Sequence, residues 1–323
     1  MDRPPRLFEG LRLPLVCAPM SYVSTLSLTL ACCRAGIVAG WQGGLVRDID
    51  EFARIIDALV EAEEAARSEG RLFAPPAVNL PAGSAMDAGV GARRLDLCAK
   101  AKIPIVISSV GDPTEMAGRV HDWGGYLIHD VSTVRHAERA IAAGVDGLML
   151  TCAGAGGLTG RLTPLAFVPK VRSMFDGVIL AGGGIATGAG IAGVLALGAD
   201  LAVMGTRFIA THESGAVAGH KQMIADVGMA DIVASDAITG VEANWIRPSI
   251  ESAVGGSGAP PAAWDRGQRV TLRDGVRAWR DVWSAGQSAG LIDDVPTVAV
   301  VVDRLAWEFE TATRPEAWRA RLP

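Results

Sequence analysis

Two aliphatic runs late in the chain lead directly into glycine and then into helix-period sequence. They are ILAGGGIATG (Ile179–Gly188), with Gly182, Gly183 and Gly184 consecutive, and VMGTRFIAT (Val203–Thr211), with Gly205 followed by Thr206. Free of side chains, such turns let backbone N–H groups and a helix N-terminus face an anion. Two of them after successive strands suit a phosphate, with the Thr206 hydroxyl as a further donor. The structural alternative is that these glycines only permit tight packing. A third run, TCAGAGGLTG (Thr151–Gly160), places small residues at a strand end, where a flat ligand or substrate could approach closely.

Proton chemistry would need a titratable side chain on the same face. His129 and Asp130 close a strand, and either could face the site as acid, base or ligand contact. The same IHDVST sequence also reads as a structural turn in which Asp130 caps the next helix. His212 and His220 border a less periodic segment and could touch substrate, whereas His121 and His136 fall in helices and read as surface residues. No His, Cys or carboxylate cluster has metal-ligand spacing, so no metal is expected.

The elements that must position these groups alternate short aliphatic strands with helix-period segments, the pattern of repeated βα units around a parallel sheet. Eight strands are expected, over Leu13–Met20, Ile37–Trp41, Ala74–Leu80, Ile103–Val110, Tyr126–Val131, Val145–Thr151, Val178–Ala181 and Ala199–Met204. Between them, IDEFARIIDALVEAEEAARSEG reads as an amphipathic helix stopped by Gly70. STVRHAERAIAAG reads as a helix capped by Ser132 and stopped by Gly144. Eight such units predict a closed α/β (TIM) (β/α)8 barrel with its site on the loops after the strand C-termini, and an open doubly wound sheet is the rival. The barrel core is expected over residues 1–215. Residues 216–323 are expected to form a lid segment, a GGSGAPPAA connector and a C-terminal helical extension packed on the barrel, with Trp279, Trp283, Trp307 and Trp318 in its helical layer.

The chain's 323 residues, 50% of them hydrophobic, include 39 glycines and carry a net charge of −5, which argues for a folded core and against a nucleic-acid partner. Its five scattered cysteines suit a reduced, cytoplasmic protein. Two uncharged stretches imitate export or membrane signals. Leu13–Cys33 is broken by prolines and hydroxyl residues, and Gly177–Ala199 by its glycines, so both read as barrel segments rather than as a leader or a span.

Six blocks together extend these readings: PLVCAPMSYVS, AVNLP, HDVSTVRHAERAIAAGVDGLMLTCAGAGG, ILAGGGIATG, GADLAVMGTRFIATHES and WSAGQSAGLIDDVP. In this order and spacing the sequence resembles the FMN-dependent nitronate monooxygenase (2-nitropropane dioxygenase-like) family. The resemblance implies a TIM barrel, an FMN cofactor and oxidation of an alkyl nitronate or similar electron-rich small molecule with dioxygen. It further implies that Ala18, Pro19 and Met20 lie against the flavin ring, that Asn79 and Gly154 contact it, and that Gln287 approaches it from the C-terminal segment. Gly183, Gly184, Gly205 and Thr206 would hold the phosphate beside Gly182.

One departure stands out. Where the family's sixth loop carries a histidine in AGGHxG, this chain has AGGLTG, with Leu158 at that position. A leucine neither takes nor donates a proton. His129 is the candidate catalytic substitute. The alternative functions are an NAD(P)H-dependent quinone or enoyl reductase on the same FMN barrel, or a diverged flavin-binding protein. The expected partners are a small-molecule substrate with dioxygen or NAD(P)H, and a homodimer is compatible with this reading; neither nucleic acid nor membrane is expected.

Overall fold

The computed structural model describes residues 6–83, 89–254 and 270–317. The GGSGAPPAA connector and Trp318 lie outside the described residues.

Eight parallel strands close on themselves. They are β1 (Leu15–Cys17), β2 (Val38–Trp41), β3 (Pro76–Pro81), β4 (Ile105–Ser109), β5 (Tyr126–Val131), β6 (Gly147–Thr151), β8 (Val178–Gly182) and β9 (Leu201–Met204). Val16 is paired with Val38 on one side and with Val203 on the other, which shuts the ring. The expected TIM barrel is therefore the fold, and the open sheet is not. Helices α1 (Leu26–Arg34), α2 (Ile49–Ser68), α3 (Val90–Lys100), α4 (Thr114–Asp122), α5 (Val134–Ala142), α6 (Pro164–Arg172) and α7 (Gly188–Ala196) return the chain between strands. Among the described residues, no helix is long and apolar enough to cross a membrane.

Strand alternation divides the core in two. Inward residues such as Val16, Ala77, Ile107, Ile128, Met149 and Leu180 fill the barrel, with Leu7, Phe8 and Leu11 packed against them. Outward residues such as Val78, Leu127, Val131, Leu148 and Leu150 pack under the helices. The caps differ in one place from expectation. Thr133, not Ser132, caps α5 by accepting the His136 N–H at 3.1 Å, and Asp130 takes no part in that cap.

The segment after β9 is more ordered than its periodicity suggests. A four-residue helix α8 (Thr206–Ile209) is followed by α9 (Ala218–Asp226), β10 (Ile232–Ser235), β11 (Ala243–Ile246) and α10 (Arg247–Ala253). Strand β11 pairs antiparallel with β10 and with a two-residue strand β7 (Gly157–Leu158) from the sixth barrel loop, making a small sheet outside the barrel.

The expected C-terminal helical layer is reduced, among the described residues, to a 3-10 turn at Gln287–Leu291 and one helix, α11 (Val298–Thr313). Trp279 and Trp283 sit in non-helical chain because each has a ring partner there. Trp279 stacks on buried Trp245 at 4.2 Å, and Trp283 stacks on His220 at 5.3 Å. Trp307 lies on α11 but faces outward, 66% exposed.

Polar pins hold this extension to the barrel. Buried Arg207 donates to Asp294 Oδ1 at 2.9 Å, and Glu213 accepts the Val298 N–H that opens α11. Glu308 of α11 accepts the Gly188 N–H at 2.7 Å. Helix α11 also presses on α7 so closely that a Cβ at Gly188 would lie 2.5 Å from Leu305 O and closer still to Phe309 N. Gly188→Ala is therefore expected to lower unfolding free energy by about 1–3 kcal/mol, as overpacking does. Gly193→Ala, on the same helix with nothing within 4 Å, should be neutral or slightly stabilising. Denaturant midpoints of the two variants check this.

Candidate active site

At the C-terminal end of the barrel a cavity of about 440 Å3 opens under the small outer sheet, within the ~300–1,000 Å3 typical of small-molecule sites. Its floor follows from strand parity. Ala77, Ile107, Ile128 and Met149 point inward, so the next inward positions along the same strands are Asn79, Ser109, Asp130 and Thr151. These four polar side chains crown the apolar barrel interior, and all four line the cavity. Asn79 Nδ2 donates to Ile107 O at 3.0 Å, which leaves its amide oxygen as an acceptor. Thr151 Oγ1 donates to Asp130 Oδ1 at 2.5 Å. Burial pushes the Asp130 carboxyl up to about 6, against the Thr151 hydrogen bond that holds it down.

The same parity turns His129 away from the site. Its neighbours Leu127 and Val131 belong to the outer core, and His129 packs there, 7% exposed, with Nδ1 at 2.7 Å from Ser108 Oγ. Burial, aided by the charge of His136, pulls its imidazole down to about 4. The expectation that His129 supplies proton chemistry to the cavity is thus corrected: of the His129–Asp130 pair, the structure brings Asp130 to the site.

One wall is the glycine cradle. Gly182, Gly183, Gly184, Gly205 and Thr206 line the cavity, as do Ala18, Pro19, Met20, Asn79 and Gly154. Gly184 has φ +71°, and a Cβ built on it meets nothing within 4 Å, so its bare face looks into open space. Thr206 Oγ1 accepts the Gly286 N–H at 2.8 Å, which leaves its own proton to donate. At the helix N-terminus that follows the Ile179–Gly188 run, Glu308 takes the first amide of α7 and Thr187 takes that of Gly190. The loop's own backbone and Thr206 remain as donors.

Gln287 does not line the cavity. Its backbone N–H donates to Gly154 O at 3.0 Å, and its side chain lies over that glycine. Likewise the bareness of Gly156 accommodates protein: a Cβ there would lie 2.6 Å from Gly286 N.

The mouth is apolar. Leu158, 48% exposed on β7, lines it with Val241 and Trp279. The backbone of Leu158 is fixed by pairing with Ala243, and Asn244 Nδ2 clamps the loop by donating to Ala155 O at 2.7 Å. Of the remaining histidines, His220 lines the cavity while His212, His121 and His136 are exposed elsewhere. His220 Nε2 lies 3.1 Å from Ser284 O, a carbonyl that can only accept, so Nε2 carries the proton and Nδ1 is a bare acceptor. Burial pulls this imidazole down to about 4, against the Ser284 bond. Among the described residues that line the cavity, only Asp130 and His220 carry ionisable side chains.

Of the crown, Ser109 carries no site signal in the sequence and Thr151 enters only as the first residue of the small-residue run, although each is the polar end of an inward period-two run. Gln42 also lines the cavity without any sequence signal, as do Ile185, Ser284 and Ser288, which lie within the quoted blocks but are not singled out there.

A family model described as nitronate monooxygenase matches residues 7–308. The (3aS,4S,5R,7aS)-5-hydroxy-7a-methyl-1-oxo-octahydro-1H-indene-4-carboxyl-CoA dehydrogenase of Mycobacterium tuberculosis is 23% identical, with 94% of each chain covered. A nitronate monooxygenase of Paraburkholderia phytofirmans is 26% identical over 90% of this chain and 91% of its own. Among solved structures, the nitroalkane oxidase of Streptomyces ansochromogenes superposes with a TM-score of 0.72 at 26% identity, covering 95% of this chain and 99% of that one.

Proposed function

The chain belongs to the nitronate monooxygenase family, and from that premise we propose that it is an FMN-dependent oxidoreductase that takes electrons from a small, already anionic alkyl nitronate and passes them to dioxygen. The observation that carries this reading is the chemistry of the mouth. Leu158 stands where the family's histidine is expected, beside Val241 and Trp279, and the one imidazole lining the cavity is a weak base held near 4. Such a mouth favours a substrate that has shed its proton before it binds.

The residues present fit FMN. The open face of Gly184, together with Gly182, Gly183, Gly205 and the free Thr206 hydroxyl proton, offers a cradle for a phosphate that carries no side-chain cation. Ala18, Pro19 and Met20 on the β1 loop, and Asn79 and Gly154 across the cavity, would border the ring. When bound, FMN supplies the two-electron chemistry and the reaction with dioxygen. The protein's part is to orient and to exclude water. Leu158, Val241 and Trp279 keep the entrance apolar, which strengthens polar contacts within it. His220 presents Nδ1 as an acceptor and its ring as a wall fixed by Trp283.

A second reading rests on the M. tuberculosis relative, whose name specifies a carboxyl-CoA dehydrogenase. An acyl thioester redox step, with NAD(P)H as the partner in the reductive direction, would use the same apolar mouth.

Oxygen consumption with a primary alkyl nitronate and with its parent nitroalkane separates substrate ionisation from flavin chemistry. The nitronate is expected to turn over ~10²–10⁴-fold faster, the usual worth of a general base. Equal rates would contradict the reading.

A further inference from the structure

Asp130 is a carboxyl in the ligand cavity without a cation. Oδ1 accepts from Thr151, the one hydrogen bond this side chain makes among the described residues, so Oδ2 stays available to a ligand. The groups around it are neutral. Asn79, Ser109 and Thr151 share the crown; His129 points to the outer face of the same strand, where it meets Ser108. Cys152, at the head of the next loop, is the titratable neighbour that feels Asp130. Its thiol is pushed up to about 12 by burial and by that carboxylate, so it stays neutral. Among the described residues, no Lys or Arg lines the cavity. Asp130 is half-buried, and a carboxyl in this setting is shifted toward its protonated form and is placed to meet a ligand group.

Its position indicates which ligand. Asp130 is on the barrel floor with Asn79 and Met149, whereas Leu158, Val241 and Trp279 form the roof near solvent. A flat ring whose phosphate lies in the Gly182–Gly184 and Gly205 cradle would cover the strand ends, between the floor and an incoming substrate. Asp130 would therefore touch the ring, not the substrate. Resting on the FMN reading above, we propose that Asp130 contacts the flavin from the barrel side and that its protonation sets how readily the bound ring accepts electrons. The neutral acid donates a hydrogen bond to a ring acceptor; the carboxylate repels added electron density.

The sign of the effect follows. Electrons on the ring favour the protonated acid, so reduction draws a proton onto Asp130 once the oxidised protein has lost it, above about pH 6. In that range the midpoint potential should fall more steeply with pH, by one additional proton per two electrons. That is tenfold in the reduction equilibrium per pH unit, or about 30 mV.

The test is the midpoint potential of the holoenzyme from pH 5 to 8.5, measured by photoreduction against reference dyes, with FMN dissociation constants from fluorescence quenching. Wild type should show the steeper limb, Asp130→Asn should lack it and be more easily reduced at pH 8, and Thr151→Val should move the break to higher pH. If Asp130→Asn does not fold, Thr151→Val carries the test. Flavin-loaded wild type and variants with parallel profiles and an unmoved break would overturn the Asp130 proposal alone. A wild-type protein that binds no FMN would overturn the cofactor reading and this proposal with it.

Discussion

Gly184→Val is expected to yield a folded protein that purifies without flavin, its FMN affinity reduced at least ~100-fold, or about 2.7 kcal/mol. Two effects add. At φ +71° a β-branched residue is strained, at a cost of roughly 1–2 kcal/mol. Its methyl groups also project into the space where the cradle would hold the phosphate, since beyond its chain neighbours no atom of the described residues lies within 4 Å of the new Cβ. That same openness is why the fold should survive, in contrast to Gly188, whose neighbours are backbone atoms of α11. Gly184→Ala should fall between. Fluorescence titration with FMN, beside far-ultraviolet circular dichroism, measures both claims, and a Gly184→Val protein that keeps FMN within threefold of wild type would place the phosphate elsewhere.

The second large effect concerns Leu158. Leu158→His should raise turnover of neutral nitroalkanes by at least ~10-fold, with ~10²–10⁴ as the ceiling set by general base catalysis, and leave nitronate turnover within a few-fold. The substitution is conservative for the backbone, because the β7 pairing with Ala243 does not involve the side chain. It introduces an imidazole at a position 48% exposed at the mouth. The gained activity should rise with pH through the ordinary histidine range near ~6.5, because the neutral ring is the base. Leu158→Asn, polar but not basic at these pH values, should show no such limb. If His and Asn act alike, polarity rather than proton transfer is what the position controls.

The barrel was legible because each βα unit carries its own local signals: a β-branched run, a glycine stop, a capping hydroxyl. The cradle was legible for a similar reason, since Gly182–Gly184 and Gly205–Thr206 each follow directly on a strand. The choice between His129 and Asp130 was also present in the sequence, though it required counting by two from Ile128, which belongs to the barrel interior. The same count from Met149 reaches Thr151 and from Ile107 reaches Ser109.

Non-local pairing was much harder to read. Strands β10 and β11 have four residues each, and β11 gains its second partner from Gly157–Leu158, more than eighty positions earlier. Nothing in the local periodicity of residues 212–257 announces that pairing. Composition offers Trp279 and Trp283 to a terminal helical layer, yet Trp245 and His220 hold them in non-helical chain. The first amide of α7 is likewise taken by a long-range contact, because Glu308 reaches Gly188 from 120 residues away.

The site is expected to oxidise a substrate already ionised, without a base at position 158. Anaerobic stopped-flow mixing of the FMN-loaded protein with an alkyl nitronate, with the parent nitroalkane and with NADH or NADPH tests it in one turnover. Rapid bleaching of the flavin absorbance by the nitronate, with the neutral nitroalkane slower by ~10²-fold or more, is the predicted result. Equal bleaching by both forms, or bleaching by the reduced nicotinamides alone, would contradict it.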